Sequence, residues 1–73
     1  MKVPVISGKE LISILKKHGF SKERQSSDHV RLVKETHEKI FKVTVPLHDP
    51  LKKKTLLSIL DAAGITLKDL KKD

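Results

Sequence analysis

The sequence holds no cysteine, no tryptophan and no tyrosine, and Phe20 and Phe41 are its two phenylalanines. Without cysteine there is no disulfide staple and no thiolate metal site, and such usage agrees with a reducing compartment. With both phenyl rings assigned to the core, no aromatic platform remains for stacking the bases of a single strand. Three glycines are too few for a glycine-rich loop that cradles phosphate. No apolar run approaches the roughly 18 residues of a membrane span. The opening Met1 to Ile6, interrupted by Pro4, is too short for a signal peptide. These absences predict a soluble, cytoplasmic protein.

Acidic side chains are also scarce. Asp and Glu number 9 against 16 Lys and Arg, a formal net charge of +7 on 73 residues. That length leaves room for a single domain, residues 1–73, burying only about 60% of its unfolded surface. So strong a positive field on so small a body favours a polyanionic partner, either nucleic acid or an acidic protein. A membrane surface fits less well, because neither main helix pairs a basic face with bulky aromatic anchors.

Along the chain, Val3-Pro4-Val5-Ile6 reads as short and extended. Ser7 and Glu10 have the spacing of a capping box, with Ile6 and Leu11 at the staple positions around it. Leu11, Ile12, Ile14, Leu15 and His18 follow at helical spacing up to Gly19, which predicts a helix over 8–18. Phe20 to Gln25 is a weak strand at best, and Ser26-Ser27-Asp28 is turn chemistry. His29 to Lys34 and Lys39 to Val45 alternate as strands, with Glu35 to Glu38 as the turn between them and Pro46 as the stop. Leu47-His48-Asp49-Pro50 is a loop, and Lys52-Lys53-Lys54 leads into Thr55 and a second amphipathic helix that ends at Gly64. Thr66 and Asp69 repeat the capping spacing, so a short third helix is expected before Lys71 to Asp73 fray.

The predicted class is therefore α+β: an α-β-β-β-α two-layer sandwich with a short C-terminal helical turn. One face of a three-stranded antiparallel meander is buried under two helices. Val30, Leu32, Phe41, Val43 and Val45 would meet Leu11, Ile14, Leu15, Leu56, Ile59 and Leu60 in the core. The other face would carry His29, Arg31, Lys42 and Thr44. In outline this resembles the double-stranded-RNA-binding domain.

Four histidines supply the only side chains that ordinarily titrate near neutrality. His29 begins a strand straight after a turn, with Arg24, Arg31 and Lys34 close in sequence. An imidazole there can take the 2′-hydroxyl proton of RNA, while cations stabilise the charge gathering on the phosphate and no metal is needed. The bland alternative is a solvated surface histidine. His48, between Pro46 and Pro50, is either a second acid, a phosphate contact or a residue that locks its loop, the structural role being favoured. His18 suits the negative end of the first helix, and His37 falls at a hairpin tip. No histidine or carboxylate pair has a recognised metal spacing. Lys52, Lys53 and Lys54 are either a solvated patch or a phosphate contact at a helix start.

The chain resembles the HicA-type toxins over almost all its length. The resemblance rests on Val3-Pro4-Val5-Ile6-Ser7-Gly8-Lys9-Glu10-Leu11, Leu15-Lys16-Lys17-His18-Gly19-Phe20 and Arg24-Gln25. It continues in Val45-Pro46-Leu47-His48, Thr55-Leu56-Leu57-Ser58-Ile59-Leu60 and Ala63-Gly64-Ile65. In that family Arg-Gln is followed, after one residue, by Gly-Ser-His; here Ser27-Asp28-His29 keeps the histidine and replaces the Gly-Ser. A glycine in that turn takes positive φ freely and Ser27 does not, while Asp28 can orient the ring or repel phosphate. Lys54 stands where the family often has glycine.

The resemblance implies a double-stranded-RNA-binding-like fold and metal-independent cleavage of mRNA that arrests translation. It further implies His29 as the catalytic residue and a HicB-type antitoxin that masks it. Arg24, Arg31, Lys42, Lys52, Lys53 and Lys54 would contact RNA, with no cofactor, and the free chain would be monomeric. Two other readings stay open: an RNA-binding module without catalysis, and an inactive relative that retains only antitoxin binding.

Overall fold

The computed structural model describes residues 3–71, with side chains described to residue 70. The order is α1 (Gly8–Lys17), β1 (Ser21–Gln25), β2 (His29–Glu35), β3 (Ile40–Pro46), α2 (Lys53–Ala63) and α3 (Leu67–Lys71). This is the α+β, double-stranded-RNA-binding-like arrangement that the alternation of apolar residues predicts. The fraying expected at Lys71 to Asp73 lies, for residues 72 and 73, outside the described residues.

Each helix boundary follows from local chemistry. Ser7 and Glu10 form the reciprocal capping box: the Ser7 amide donates to Glu10 Oε1 at 3.0 Å and the Glu10 amide to Ser7 Oγ at 3.1 Å. Past the His18 C-cap, Gly19 turns the chain at φ +95°, and Gly64 closes α2 at φ +74°. Both are left-handed conformations that glycine adopts without a Cβ penalty. At α3, the Thr66 amide donates to Asp69 Oδ2 at 2.8 Å, so the second capping signal is also used.

The strands form one antiparallel sheet in the order β1-β2-β3. In the β2–β3 register Val30 faces Val45, Leu32 faces Val43 and Lys34 faces Phe41. Val30, Leu32, Val43 and Val45 are buried against Leu11, Ile14 and Leu15 of α1 and Leu56, Ile59 and Leu60 of α2. Phe41 packs against this core as expected, at its margin. At the end of the sheet its ring is half-buried, edge-on to Phe20 at 6.4 Å and covered by the Lys39 ammonium at 4.5 Å.

Three boundaries differ from expectation. Phe20 to Gln25 resolves into a buried Phe20 followed by a strand whose five residues are all exposed. Pro46 does not stop β3 but ends it as a paired residue opposite His29. The Leu47 amide donates to the Asp28 carbonyl at 2.8 Å, so the adjacent His29–Pro46 pair is one that exchanges no backbone hydrogen bonds, and the missing proline N–H removes nothing from the ladder. Helix α2 begins at Lys53 rather than after the basic run, with Lys52 at the N-cap and no side chain capping it.

The loop from Leu47 to Lys52 is pinned as well as turned. The Gly8 amide donates to the His48 carbonyl and the Leu51 amide to the Ile6 carbonyl, both at 2.8 Å. Leu51, which its position in a loop gave no reason to bury, joins the core at 6% exposure. The loop runs so close to α1 that a Cβ on Gly8 would overlap the Pro46 carbonyl oxygen. Helix propensity alone would make Gly8→Ala stabilising by up to ~1 kcal/mol. The overlap predicts the opposite sign, a loss of about 1–3 kcal/mol, read as a lower urea midpoint; an unchanged or higher midpoint would contradict the close approach.

Candidate functional site

Burying Val30 and Leu32 forces the intervening residues of β2 to the opposite face, since side chains alternate along a strand. That open face carries His29 beside Pro46, Arg31 beside Thr44 and Val33 beside Lys42. His29, Arg31, Lys42 and Thr44 are all exposed. Neither helix covers them, because α1 and α2 pack against the other side of the sheet, chiefly on β3.

The turn before His29 is held by its own backbone. The Ser26 amide donates to the His29 carbonyl at 2.9 Å, and Ser26 Oγ reaches the same oxygen at 3.4 Å. The Asp28 carbonyl is taken by Leu47 on the other side. His29 therefore sits where β1, β2 and the end of β3 are tied together, and its backbone has little freedom. No non-glycine residue among those described has positive φ. Ser27 and Asp28 close this turn without the left-handed conformation that a glycine would make easy, so the replacement of Gly-Ser there introduces no backbone strain.

A β-bulge decides what stands beside His29. Lys22 pairs with Leu32, but Arg24, not Glu23, pairs with Arg31, and Gln25 pairs with Val30. A regular ladder continued from Lys22 would set Glu23 opposite Arg31, an attractive pair. Glu23 is instead the extra residue, and Arg24 and Arg31 are partners across the ladder and line the same hollow. Bulges re-aim side chains in this way near functional sites, and like charges directly opposite destabilise a sheet. The outcome is a shallow depression of ≈ 250 Å³ lined by Arg24, Ser26, His29, Arg31 and Thr44. It offers an imidazole, two hydroxyls and two fixed cations, with no carboxylate in its lining. That set of groups can bind an oxyanion through the guanidinium forks and move a proton at the ring.

The remaining expected site residues are elsewhere. Lys42 shares the open face but stands beside Val33, two residues along β3 from Thr44, and does not line the depression. Lys52, Lys53 and Lys54 are exposed at the start of α2, in the helix layer. With no acidic residue in that first turn, three ammonium groups meet the positive end of the helix dipole, an arrangement that favours an anion. His48 is exposed and borders a separate hollow with Ser7, Lys9, Leu47 and Asp49. Its backbone carbonyl accepts from the Gly8 amide, a bond that does not involve the ring. His37 is exposed in the β2–β3 turn, and His18 caps α1. Ser26 was missed as a lining residue, for it read only as turn chemistry. Among the described residues no group of three His, Cys, Asp or Glu side chains could hold a metal ion. No helix among them is long and apolar enough to cross a membrane.

Comparison with known proteins bears on the same region. The family model described as HicA toxin of bacterial toxin–antitoxin matches residues 8–65, which run from the start of α1 past the end of α2. No curated protein matches the chain.

The paired arginines yield a test of opposite signs. Arg24→Gln is expected to raise folding stability by ~0.2–1 kcal/mol in low salt, with the gain shrinking as salt screens the pair, and to weaken phosphate binding. Urea titrations at two ionic strengths read the first effect. Destabilisation in low salt would mean that Arg24 is held by attraction, not tolerated against repulsion.

Proposed function

The chain belongs to the HicA toxin family, and from that premise we propose that it is a metal-independent endoribonuclease that cuts mRNA at His29 and so arrests translation. The observation that carries this reading is the shared depression of His29, Arg24 and Arg31 on a sheet face that neither helix covers.

In the proposed reaction the neutral His29 imidazole accepts the proton of a ribose 2′-hydroxyl. The 2′-oxygen attacks the adjacent phosphorus as the bond to the 5′-oxygen breaks. That oxygen leaves with a proton from the imidazolium or from water. The products are a 2′,3′-cyclic phosphate and a 5′-hydroxyl. Arg24 and Arg31 hold the non-bridging oxygens and offset the charge that gathers on them, an electrostatic contribution that grows in the transition state. Thr44 and Ser26 can donate hydrogen bonds to the same phosphate or its ribose. Lys42 and the Lys52–Lys54 run supply longer-range attraction, so binding is dominated by phosphate and depends strongly on salt.

The same charge distribution supports the partner that the family implies, a HicB-type antitoxin. An acidic surface laid over the open face would meet Arg24, Arg31 and Lys42 and cover His29, and complementary charge of this kind speeds encounter and fixes orientation. The place of action is the cytoplasm, where mRNA and antitoxin are both present.

Purified protein without antitoxin, incubated with RNA in EDTA, is expected to leave cyclic-phosphate ends, whereas His29→Ala binds RNA without cutting it. A drop of at least about 10²-fold is expected for loss of a general base. Equal cleavage by both proteins would remove His29 from the mechanism. RNA binding without cleavage by the unaltered chain would make it a binding module, and neither activity would leave antitoxin binding as its retained property.

A further inference from the structure

On the reverse side of β1 lies a second hollow. Strand β1 is the sheet edge, with all five residues exposed. Lys22 and Gln25 pair with Leu32 and Val30, so they stand on the helix-bearing face, whereas Arg24 stands on the open face opposite Arg31. Across from them, α1 presents Lys9, Ile12 and Lys16, spaced three and four residues apart on a single helical stripe. Together they enclose a groove of ≈ 190 Å³ whose floor is Ile12, Val30 and Leu47.

The groove's charges are all positive. Its charged lining is Lys9, Lys16 and Lys22, and no carboxylate faces it among the described residues. Glu10, the nearest acid on α1, is engaged by the Ser7 amide in the capping box. Lys22 Nζ donates to Gln25 Oε1 at 3.1 Å, which leaves the Gln25 amide nitrogen to donate outward. Three ammonium groups over a half-apolar floor suit a phosphodiester chain with bases laid against Ile12 and Leu47. The same donors serve carboxylate oxygens equally well, so the choice between a phosphodiester and an acidic peptide rests on what lies next to the groove.

Continuity selects RNA over other anions. Arg24 and Gln25 are neighbours on β1 that project to opposite faces, as are His29 and Val30 on β2. One end of the groove is therefore back to back with the His29 depression across the β1–β2 ladder, with β1 as the edge between them. We propose that the groove between α1 and β1 is a second RNA subsite, in which the strand cut at His29 continues over β1 onto Lys22, Lys16 and Lys9. The proposal rests on the reading of the open face as an RNA-cleaving site. It adds that the substrate is a single strand several nucleotides long and bent around the sheet edge, because a stiff duplex cannot fold over one strand.

The test uses the His29→Ala chain, so that RNA survives and binding is read apart from cleavage. Oligoribonucleotides of about 4 and about 16 nucleotides, the range a small single-strand site takes, are titrated at several salt concentrations. Adding Lys9→Gln, Lys16→Gln and Lys22→Gln is expected to lower the salt slope of log K for the long oligonucleotide by about 2, near 0.7 for each single-strand phosphate that a lysine no longer neutralises. The short oligonucleotide should keep its slope. An unchanged slope on the long strand overturns the proposal, and so does an equal loss on both lengths, which would assign the lysines to the general positive field. If the triple change instead abolishes binding of a glutamate-rich peptide and spares RNA, the groove is a protein-docking surface and the proposal fails. If the chain with His29 intact never cleaves RNA while the triple change lowers the long-strand slope as expected, His29 catalysis fails and the groove stands.

Discussion

Burial of Val30 and Leu32 leaves their neighbours no choice of face. Strand β2 is the centre of the sheet, and its two apolar residues are sealed under α1 and α2. A slip of one residue would bring His29 and Arg31 into the core and Val30 and Leu32 into water. Desolvating an unpaired guanidinium is far costlier than giving up either apolar side chain's burial. The register is accordingly fixed by the core, and the position of the imidazole is a by-product of packing. Everything proposed for the open face depends on that alternation.

What stands around His29 is set by a departure from regularity. The bulge at Glu23 brings Arg24 into register with Arg31, so two like charges share the depression beside His29. The same tension recurs at the start of α2, where Lys52, Lys53 and Lys54 crowd the positive end of a helix that has no side-chain cap. A domain of 73 residues has a thin stability margin. Two repulsive clusters in it are consistent with a protein that gains stability when a polyanion or an acidic partner arrives.

The main elements were legible because they rest on local signals. The capping box at Ser7, the Thr66 amide held by Asp69, the alternation through Val30, Leu32, Val43 and Val45, and the left-handed glycines at 19 and 64 are each written in a few consecutive residues. What escaped depends on contacts between distant parts of the chain. The bulge exists only as a mismatch of β1 against β2, and Glu23 carries no local mark of it. Pro46 looked like a stop because its edge-facing geometry appears only when it is paired with His29. Leu51 in the core and Gly8 against Pro46 both follow from a loop folding back on the first helix. His29, Arg31, Lys42 and Thr44 could be assigned to one face from periodicity, but only the tertiary register gathers Arg24 and Ser26 beside His29.

The proposed function requires His29, Arg24 and Arg31 to act as one anion site on the open face. Titration of the unaltered chain with a nucleoside 3′-monophosphate, followed by NMR of side-chain and backbone signals, addresses it directly. Signals of these three residues, with Ser26 and Thr44, are expected to move together with a common affinity while those of His37 stay still. Shifts confined to Lys52, Lys53 and Lys54, with the His29 ring unmoved, would contradict it.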